Sequence, residues 1–195
     1  MDELAPGLRR WTTGHEEWKE DVASLAVETD SGLALIDPLD PPTELGAAEH
    51  VLLTVFFHLR STKEIGAKRV WAPHYSVRSA ANRGVEVTDV VSPDAELPGG
   101  IRAFQTPRRS EVVYWLPEQR SVVVGDVLLG AGAKPKATDE PLRLCPERWL
   151  GGGATHADLR ESLAPLLELP VERVLVAHGE PVRGDGLREL ERVLG

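Results

Sequence analysis

The sequence predicts an α/β fold for this chain of 195 residues. Short apolar segments typical of β-strands recur in both halves of the chain, and turn residues separate them. Some of these segments run directly into helical patterns, and each half of the chain ends in helices. With 42% hydrophobic and 27% charged residues, the chain can bury a continuous core. We therefore expect one domain that covers residues 1–195.

The first half begins with a predicted β-hairpin. Residues 24–29 and 33–36 flank Asp30-Ser31-Gly32, the kind of Gly-containing turn that joins two antiparallel strands. Residues 51–54 have the composition of a buried strand, and a polar helix is predicted after it at residues 61–69. Further strands are predicted at 70–72 and 86–87, with a helix at 76–82 between them. The order of strand and then helix is typical of an α/β protein.

The second half starts with β-structure and ends with helices. Strands are predicted at residues 101–105, 111–116 and 121–124, and the last two form a hairpin. Residues 130–153 contain many Gly, Pro and charged residues without a clear period, which indicates a long loop or lid.

After this loop, Thr155 and Asp158 predict a capping box at the start of a helix that Pro165 weakens or kinks. A buried strand at residues 174–177 and a final helix at 186–194 complete the prediction.

Charge and composition exclude several classes of protein. The 31 acidic and 22 basic residues give a net charge of −9, which disfavours binding to nucleic acid. The single cysteine, Cys145, excludes an intramolecular disulfide and a multi-cysteine zinc site. The N-terminus does not have the pattern of a secretory signal, and the apolar segments are too short to span a membrane. We therefore expect a soluble, cytoplasmic protein that does not act at a membrane.

Five short segments are similar to the sequence motifs of the metallo-β-lactamase superfamily. Their order and spacing along the chain carry the resemblance: Leu35-Ile36-Asp37-Pro38, Thr54 followed by Val55 to Arg60, Thr106-Pro107-Arg108-Arg109-Ser110, Gly125-Asp126 and Ala177-His178-Gly179. The resemblance covers nearly the whole chain. It implies a four-layer αββα sandwich with a metal site in the cleft where loops of the two sheets meet. It also implies that Asp37 is a structural aspartate.

The sequence departs from the superfamily at most metal-ligand positions. The Thr-His-x-His-x-Asp-His motif has Val55, Phe57, Leu59 and Arg60 at its four ligand positions, and none of these side chains is an ordinary zinc ligand. Arg109 replaces the histidine of the second motif, Thr-Pro-Gly-His. The ligand positions at Asp126 and His178 keep residues that can bind a metal. His58 falls at a position of the first motif that is not a ligand.

These departures predict a metal-free protein. We expect the guanidinium group of Arg60, of Arg109 or of both to pair with Asp126 in place of the missing cations. Such a protein, with Asp126, His178, His58, Arg60 and Arg109 as its cleft candidates, would bind a small ligand or a protein partner, or catalyse an atypical reaction without a metal.

Two alternatives remain open. The first is a hydrolase with one zinc or other divalent ion held by His58, Asp126 and His178. The second is an interaction or regulatory protein in which Phe56, Phe57 and Leu59 fill the former metal cleft. The sequence does not identify the ligand or partner, and it leaves a homo-oligomer open. Glu111 and Ser110 could orient a guanidinium or contact a ligand, but the solvated start of a hairpin is the simpler interpretation. His74 is interpreted as a loop histidine that could add a ligand to the metal site of the first alternative.

Overall fold

The computed structural model describes residues 1–92 and 95–195. A seven-stranded sheet has the order β1-β2-β3-β4-β5-β6-β7, which follows the chain. Its first four strands are antiparallel, and β4 to β7 are parallel. The seven strands are β1 (Asp2–Ala5), β2 (Leu8–His15), β3 (Glu20–Thr29), β4 (Gly32–Ile36), β5 (His50–Leu52), β6 (Arg69–Pro73) and β7 (Asp89–Val91). The predicted hairpin around Asp30 is confirmed as the β3–β4 pair.

A second sheet has four strands in the order β13-β10-β9-β8. These are β8 (Arg102–Gln105), β9 (Val112–Leu116), β10 (Ser121–Val124) and β13 (Arg173–Val176), and β13 pairs parallel with β10. The predicted hairpin of β9 and β10 is confirmed. A separate two-stranded sheet pairs β11 (Leu128–Gly130) with β12 (Leu142–Leu144).

Four α-helices are present in the described residues: α1 (Thr62–Ile65), α2 (Val77–Ala81), α3 (His156–Leu163) and α4 (Gly186–Leu194). The capping box at Thr155 and Asp158 is confirmed, and α3 gives way to a 3-10 helix at Ala164–Glu168, where Pro165 cannot donate a helical hydrogen bond. None of the helices within residues 1–92 and 95–195 combines the length and the apolar character needed to cross a bilayer.

The alternation of side chains along β9 defines the layers. Tyr114 and Leu116 point into the core between the two large sheets, whereas Val113 and Trp115 point into a second core, which also contains Leu159 of α3. A third core on the outer face of the first sheet includes Leu59. Helices therefore cover the outer face of each sheet, and the four-layer αββα sandwich is confirmed.

The structure differs from the predicted elements in four places. The helix expected at residues 61–69 is shorter, because α1 covers Thr62–Ile65 and β6 begins at Arg69. Strands β1 and β2 were not predicted, because their sequences mix charged and apolar residues. The strand expected at residues 86–87 is wrong, and β7 begins at Asp89 instead. The long segment 130–153 is not irregular throughout, since it contains β12.

Candidate functional site

His58, Asp126 and His178 meet where strand ends of the two large sheets lie together. His58 lies in a 3-10 helix (Phe56–Leu59) shortly after β5, Asp126 follows β10, and His178 follows β13. Because β10 and β13 are parallel neighbours, Asp126 and His178 leave the same edge of their sheet. Val55 and Glu111 form a bridge between the sheets beside this point, which brings His58 to the same edge.

The two imidazole rings converge on one carboxylate oxygen. Nε2 of His58 lies 3.2 Å from Oδ1 of Asp126, and Nε2 of His178 lies 3.3 Å from the same oxygen. One potential ligand atom from each of the three residues lies within 4.8 Å of the other two. All three side chains are buried. Two nitrogen donors and one carboxylate are a donor set that suits zinc and several other divalent ions.

Asp37 holds the ring of His58. Oδ2 of Asp37 lies 2.8 Å from Nδ1 of His58, and Oδ1 accepts the backbone N–H of Thr54 at 2.8 Å. Since a carboxylate only accepts, Nδ1 of His58 carries the proton, and in the neutral ring Nε2 has a free lone pair. Nε2 is buried, and within the described residues it makes no hydrogen bond of acceptable geometry. Asp37 is therefore structural, as the resemblance implies, and it also acts directly on a site residue.

Glu20 is placed against the outer nitrogen of His178. Its Oε2 lies 3.7 Å from Nδ1 of His178, which is longer than a hydrogen bond but close enough for charge attraction. Each imidazole thus has a carboxylate behind it, and its other nitrogen faces Asp126. Histidines that bind metals in proteins have this arrangement. Glu20 has no local sequence signal for this role, because it lies at the start of β3, in a β-hairpin far from every motif.

The structure corrects the position of His58. Counting along the first motif assigns His58 to a position that is not a ligand, yet its ring lies in the site. The 3-10 helix rotates the side chain inward, and the hydrogen bond to Asp37 holds it there. Phe57, at the neighbouring motif position, points outward and is 44% exposed.

Arg108 is the guanidinium that pairs with Asp126. Its Nη1 lies 2.9 Å from Oδ2 of Asp126 and 3.2 Å from Oε2 of Glu111. The guanidinium also lies over the ring of Phe57, at 5.1 Å from the ring centre. The two carboxylate oxygens of Asp126 thus have different partners. Oδ1 faces the imidazoles, and Oδ2 faces Arg108.

The expected pairing of Arg60 or Arg109 with Asp126 is wrong in this structure. Arg109 points away and contacts the hydroxyl of Tyr75 at 3.5 Å, because consecutive side chains in the turn after Thr106 face different ways. Arg60 donates to the backbone carbonyls of Ala23 at 2.8 Å and Asp37 at 2.7 Å. Arg60 therefore supports the loop of Asp37 from beneath the site.

Glu111 is part of the site and not a solvated hairpin start. The residue is fully buried, and its Oε1 accepts the backbone N–H groups of Asp126 at 2.6 Å and Val127 at 3.0 Å. These bonds fix the backbone that carries Asp126. Burial and the nearby charge of Asp126 raise the pKa of Glu111 to about 7.

The charges of the site influence one another. Burial alone would raise the pKa of Asp126, but the adjacent imidazoles of His58 and His178 outweigh it and hold that pKa well below the usual range. Burial likewise opposes the charged form of His178, yet the contacts with Asp126 and Glu20 raise its pKa to about 9. Asp126 is therefore an anion at neutral pH and can attract a cation.

The site opens into a cavity of about 600 Å³. Asp126 and His178 form part of its wall, together with Trp18, Glu20, Phe57, Arg108, Lys134, Pro135, Arg148 and Trp149. Phe57 lies at its edge, whereas Leu59 is buried in the outer core. The expectation that the apolar replacements fill the cleft is therefore wrong for these two residues. His74 is exposed and stacks edge-on against Tyr75, away from the three site residues.

Comparison with known proteins gives matches in structure but not in sequence. No protein-family model matches the chain, and no curated protein matches its sequence. Among solved structures, a metallo-β-lactamase from Hirschia baltica has a TM-score of 0.67 at 13% identity, and the match covers 99% of this chain and 94% of that one.

Two further structures are informative. A metallo-β-lactamase from Erythrobacter litoralis, with β-mercaptoethanol in its active site, has a TM-score of 0.63 at 20% identity, covering 99% of this chain and 93% of that one. The metallo-β-lactamase FIM-1 from Pseudomonas aeruginosa, in a mono-zinc form, has a TM-score of 0.61 at 18% identity, covering 95% and 89% of the two chains. The architecture and these matches together establish that the chain has the metallo-β-lactamase fold.

Proposed function

We propose that this protein is a hydrolase that uses one divalent metal ion, held by His58, Asp126 and His178. The observation that carries the proposal is the convergence of both Nε2 atoms on Oδ1 of Asp126, at 3.2 and 3.3 Å. The proposal takes up the single-metal alternative in place of the metal-free prediction, which placed His58 in the cleft but at a motif position that is not a ligand.

The donor atoms fit a metal ion. His58 turns Nε2 towards the carboxylate of Asp126, because its Nδ1–H donates a hydrogen bond to Asp37. A proton or a cation is needed between Nε2 of His58 and the charged oxygen of Asp126, which are 3.2 Å apart in a buried place, since a bare lone pair facing an anion there costs free energy. A cation bound by both atoms removes this cost. One of the structural neighbours, FIM-1, was solved in a mono-zinc form, which supports a single ion on this fold.

A bound divalent ion would supply a Lewis acid and lower the pKa of a coordinated water towards neutrality. The protein's own residues prepare the site for this chemistry. Asp37 and Glu20 orient the two imidazoles, and Glu111 fixes the backbone of Asp126. Three protein ligands would leave a coordination position for water or substrate, which is typical of catalytic and not of structural metal sites, and two of the three, Asp126 and His178, line the cavity.

Arg108 contributes a fixed positive charge next to the proposed metal site. Its guanidinium binds Oδ2 of Asp126 and lines the cavity. We infer that it limits the site to one metal ion, since a second cation at Oδ2 would meet a like charge at close range. Because Arg108 lines the cavity, its guanidinium would also stabilise negative charge that develops on a substrate oxygen there.

A second candidate function is metal-free binding of a small ligand. The Arg108–Asp126 contact of 2.9 Å supports this candidate, because it neutralises part of the carboxylate charge without a metal. The two candidates differ in their need for a metal ion and agree on the cavity as the binding site.

Hydrolysis of model esters separates the two candidates. Purified protein is assayed with nitrophenyl acetate, an aryl thioester and an aryl lactone, after dialysis against a chelator and again after zinc is restored. We expect turnover of at least one ester that depends on zinc and is lost in Asp126→Asn. The control variant Asp21→Asn, outside the site residues, should keep it. Equal turnover with and without zinc, or none in both states, would contradict the hydrolase.

A further inference from the structure

We propose that the cavity beside His58, Asp126 and His178 selects substrates with an anionic group and a flat apolar body. This inference names the substrate class of the proposed hydrolase and in that respect rests on the proposed function. The observations that carry it concern the side chains lining the cavity, most of which take no part in holding the metal.

The cavity is positively charged although the chain is acidic. Three cationic side chains line it, Arg108, Lys134 and Arg148, against the two carboxylates of Glu20 and Asp126. A bound divalent ion would add further positive charge. The chain as a whole has a net charge of −9, so the cavity differs in sign from the average surface. A local field of this kind attracts anions and repels cations.

The two carboxylates of the cavity already have partners. Asp126 faces both imidazoles and Arg108, and Glu20 faces His178 and accepts the backbone N–H of Lys134 at 3.0 Å. They are therefore poorly placed to receive a cationic group of a substrate.

Lys134 and Arg148 are the cations available to a substrate. Arg108 shares its charge between Asp126 and Glu111. The ammonium group of Lys134 donates to the carbonyl of Lys19, and no carboxylate of the described residues forms an ion pair with it. Arg148 forms no ion pair with any of the described residues. The adjacent carboxylate, that of Glu147, faces His156 instead. Both side chains are exposed at the cavity, where an anionic group can reach them.

Aromatic side chains form the apolar part of the wall. Trp18 lies 5.5 Å from the ring of His178, measured between ring centres, and Trp149 and Phe57 also line the cavity. Phe57, Arg108 and Trp149 are shared with an adjoining cavity of about 760 Å³, so the two cavities form one groove past the site. Flat apolar groups pack well against such rings. A substrate whose apolar part packs against Trp149 and whose anionic group binds Arg148 and Lys134 would contact both the aromatic and the cationic part of the cavity wall.

The test is a binding experiment with four probes that share a naphthalene body. Naphthoate and naphthylphosphonate are anionic, naphthamide is neutral, and naphthylmethylammonium is cationic. Calorimetric titration of the zinc-loaded protein should give at least one anionic probe an affinity about tenfold above naphthamide, as a charge-assisted hydrogen bond provides. The ammonium probe should bind most weakly. The tighter of the two anions identifies whether the substrate carries a carboxylate or a phosphate.

Variants locate the binding groups. The double variant Lys134→Gln and Arg148→Gln should bind naphthamide unchanged and lose the preference for the anionic probe. The matched control is Arg188→Gln, whose side chain on α4 is 77% exposed and does not line the cavity. Lys134 and Arg148 are both exposed, and circular dichroism checks that the variants are folded.

Equal binding of naphthamide and the anions, a preference that survives the double variant, or no binding of any probe would overturn the inference. Metal analysis of the same samples separates this failure from failure of the proposed function. One ion per chain without anion preference contradicts only the substrate class. Anion preference without any metal contradicts only the hydrolase.

Discussion

Nδ1 of His58 lies 2.8 Å from Oδ2 of Asp37, and this contact decides which ring nitrogen faces Asp126. Asp37 has a φ of 48°, an uncommon value for a residue other than glycine, and Arg60 donates to its backbone carbonyl at 2.7 Å. The chain thus holds Asp37 in a strained conformation that places both carboxylate oxygens beneath Thr54 and His58. The position of His58 in the site depends on this loop.

Replacement of Asp37 by asparagine should weaken zinc binding about 10–100-fold, which is typical when the partner behind a metal-binding histidine is lost. The amide oxygen would still accept the N–H of Thr54, so the amide NH₂ would face Nδ1 of His58 and donate to it. The proton of the neutral ring then moves to Nε2, which can no longer bind the metal.

Competition with a zinc-sensitive dye measures this affinity. Asp40→Asn is the control, because Asp40 is also at positive φ (44°) but is exposed and outside the site. Equal affinities of the two variants would show that Asp37 does not act on the site through His58.

The pairing of Arg108 with two buried carboxylates predicts a large effect on stability. Arg108→Gln leaves Asp126 and Glu111 without their shared cation and should lower the free energy of unfolding by about 3–5 kcal/mol, as for other buried ion pairs with one partner removed. Arg109→Gln should change it by less than about 0.5 kcal/mol, because among the described residues the guanidinium of Arg109 hydrogen-bonds only to the hydroxyl of Tyr75, near the surface. Urea unfolding of both variants compares the two positions. An equal or larger loss in Arg109→Gln would show that Arg108 is not the cation that stabilises Asp126 and Glu111.

Gly130 is predicted to be essential for packing beside His178. Its backbone N–H donates to the carbonyl of His178 at 3.0 Å, and a Cβ at Gly130 would lie 2.0 Å from the carbonyl oxygen of Glu180. Gly130→Ala should therefore destabilise the protein by more than about 3 kcal/mol, since the clash is with backbone that must move. At Gly184 a Cβ would meet nothing within 4 Å, so Gly184→Ala serves as the control in thermal unfolding. Similar melting temperatures would contradict this account of the turn.

Cys145 should be chemically inert in the folded protein. The thiol is 1% exposed, and burial, with smaller contributions from the charges of Glu111 and Asp126, raises its pKa to about 12. A raised pKa means that the thiol stays protonated at neutral pH, and the thiolate is the form that reacts. We expect no alkylation by iodoacetamide under native conditions and complete alkylation in denaturant, measured by mass spectrometry. Rapid native alkylation would show that β12 and its surroundings open readily.

The overall fold was predictable because its signals are spread along the chain. The segments containing Asp37, Asp126 and His178 follow buried strands, and their resemblance to the motifs of the metallo-β-lactamase superfamily implied the sandwich. Strands β1 and β2 were not predictable, because the interspersed charges of segments such as residues 8–15 hide the alternation of a strand. Hydrogen bonding of β2 to β3, which the local sequence does not indicate, stabilises this part of the sheet.

The site was predictable in part. Asp126 and His178 lie at strand ends that the motifs mark, whereas His58 enters the site through a 3-10 turn that counting along a motif does not reveal. The choice between Arg108 and Arg109 depended on the direction of neighbouring side chains in a turn. Glu111 and Glu20 act through contacts between distant segments, and for Glu111 the position directly before a strongly apolar strand was the only local signal.

The most direct test of the central claim is the metal content of protein purified without a histidine tag, measured by inductively coupled plasma mass spectrometry after equilibration with zinc. We predict about one zinc per chain in the natural protein, held by the three residues that converge at Asp126. The ion should be lost in His58→Ala, Asp126→Ala and His178→Ala and retained in His74→Ala. Substoichiometric zinc in the natural protein, or full occupancy in His58→Ala, would contradict the proposed single-metal site.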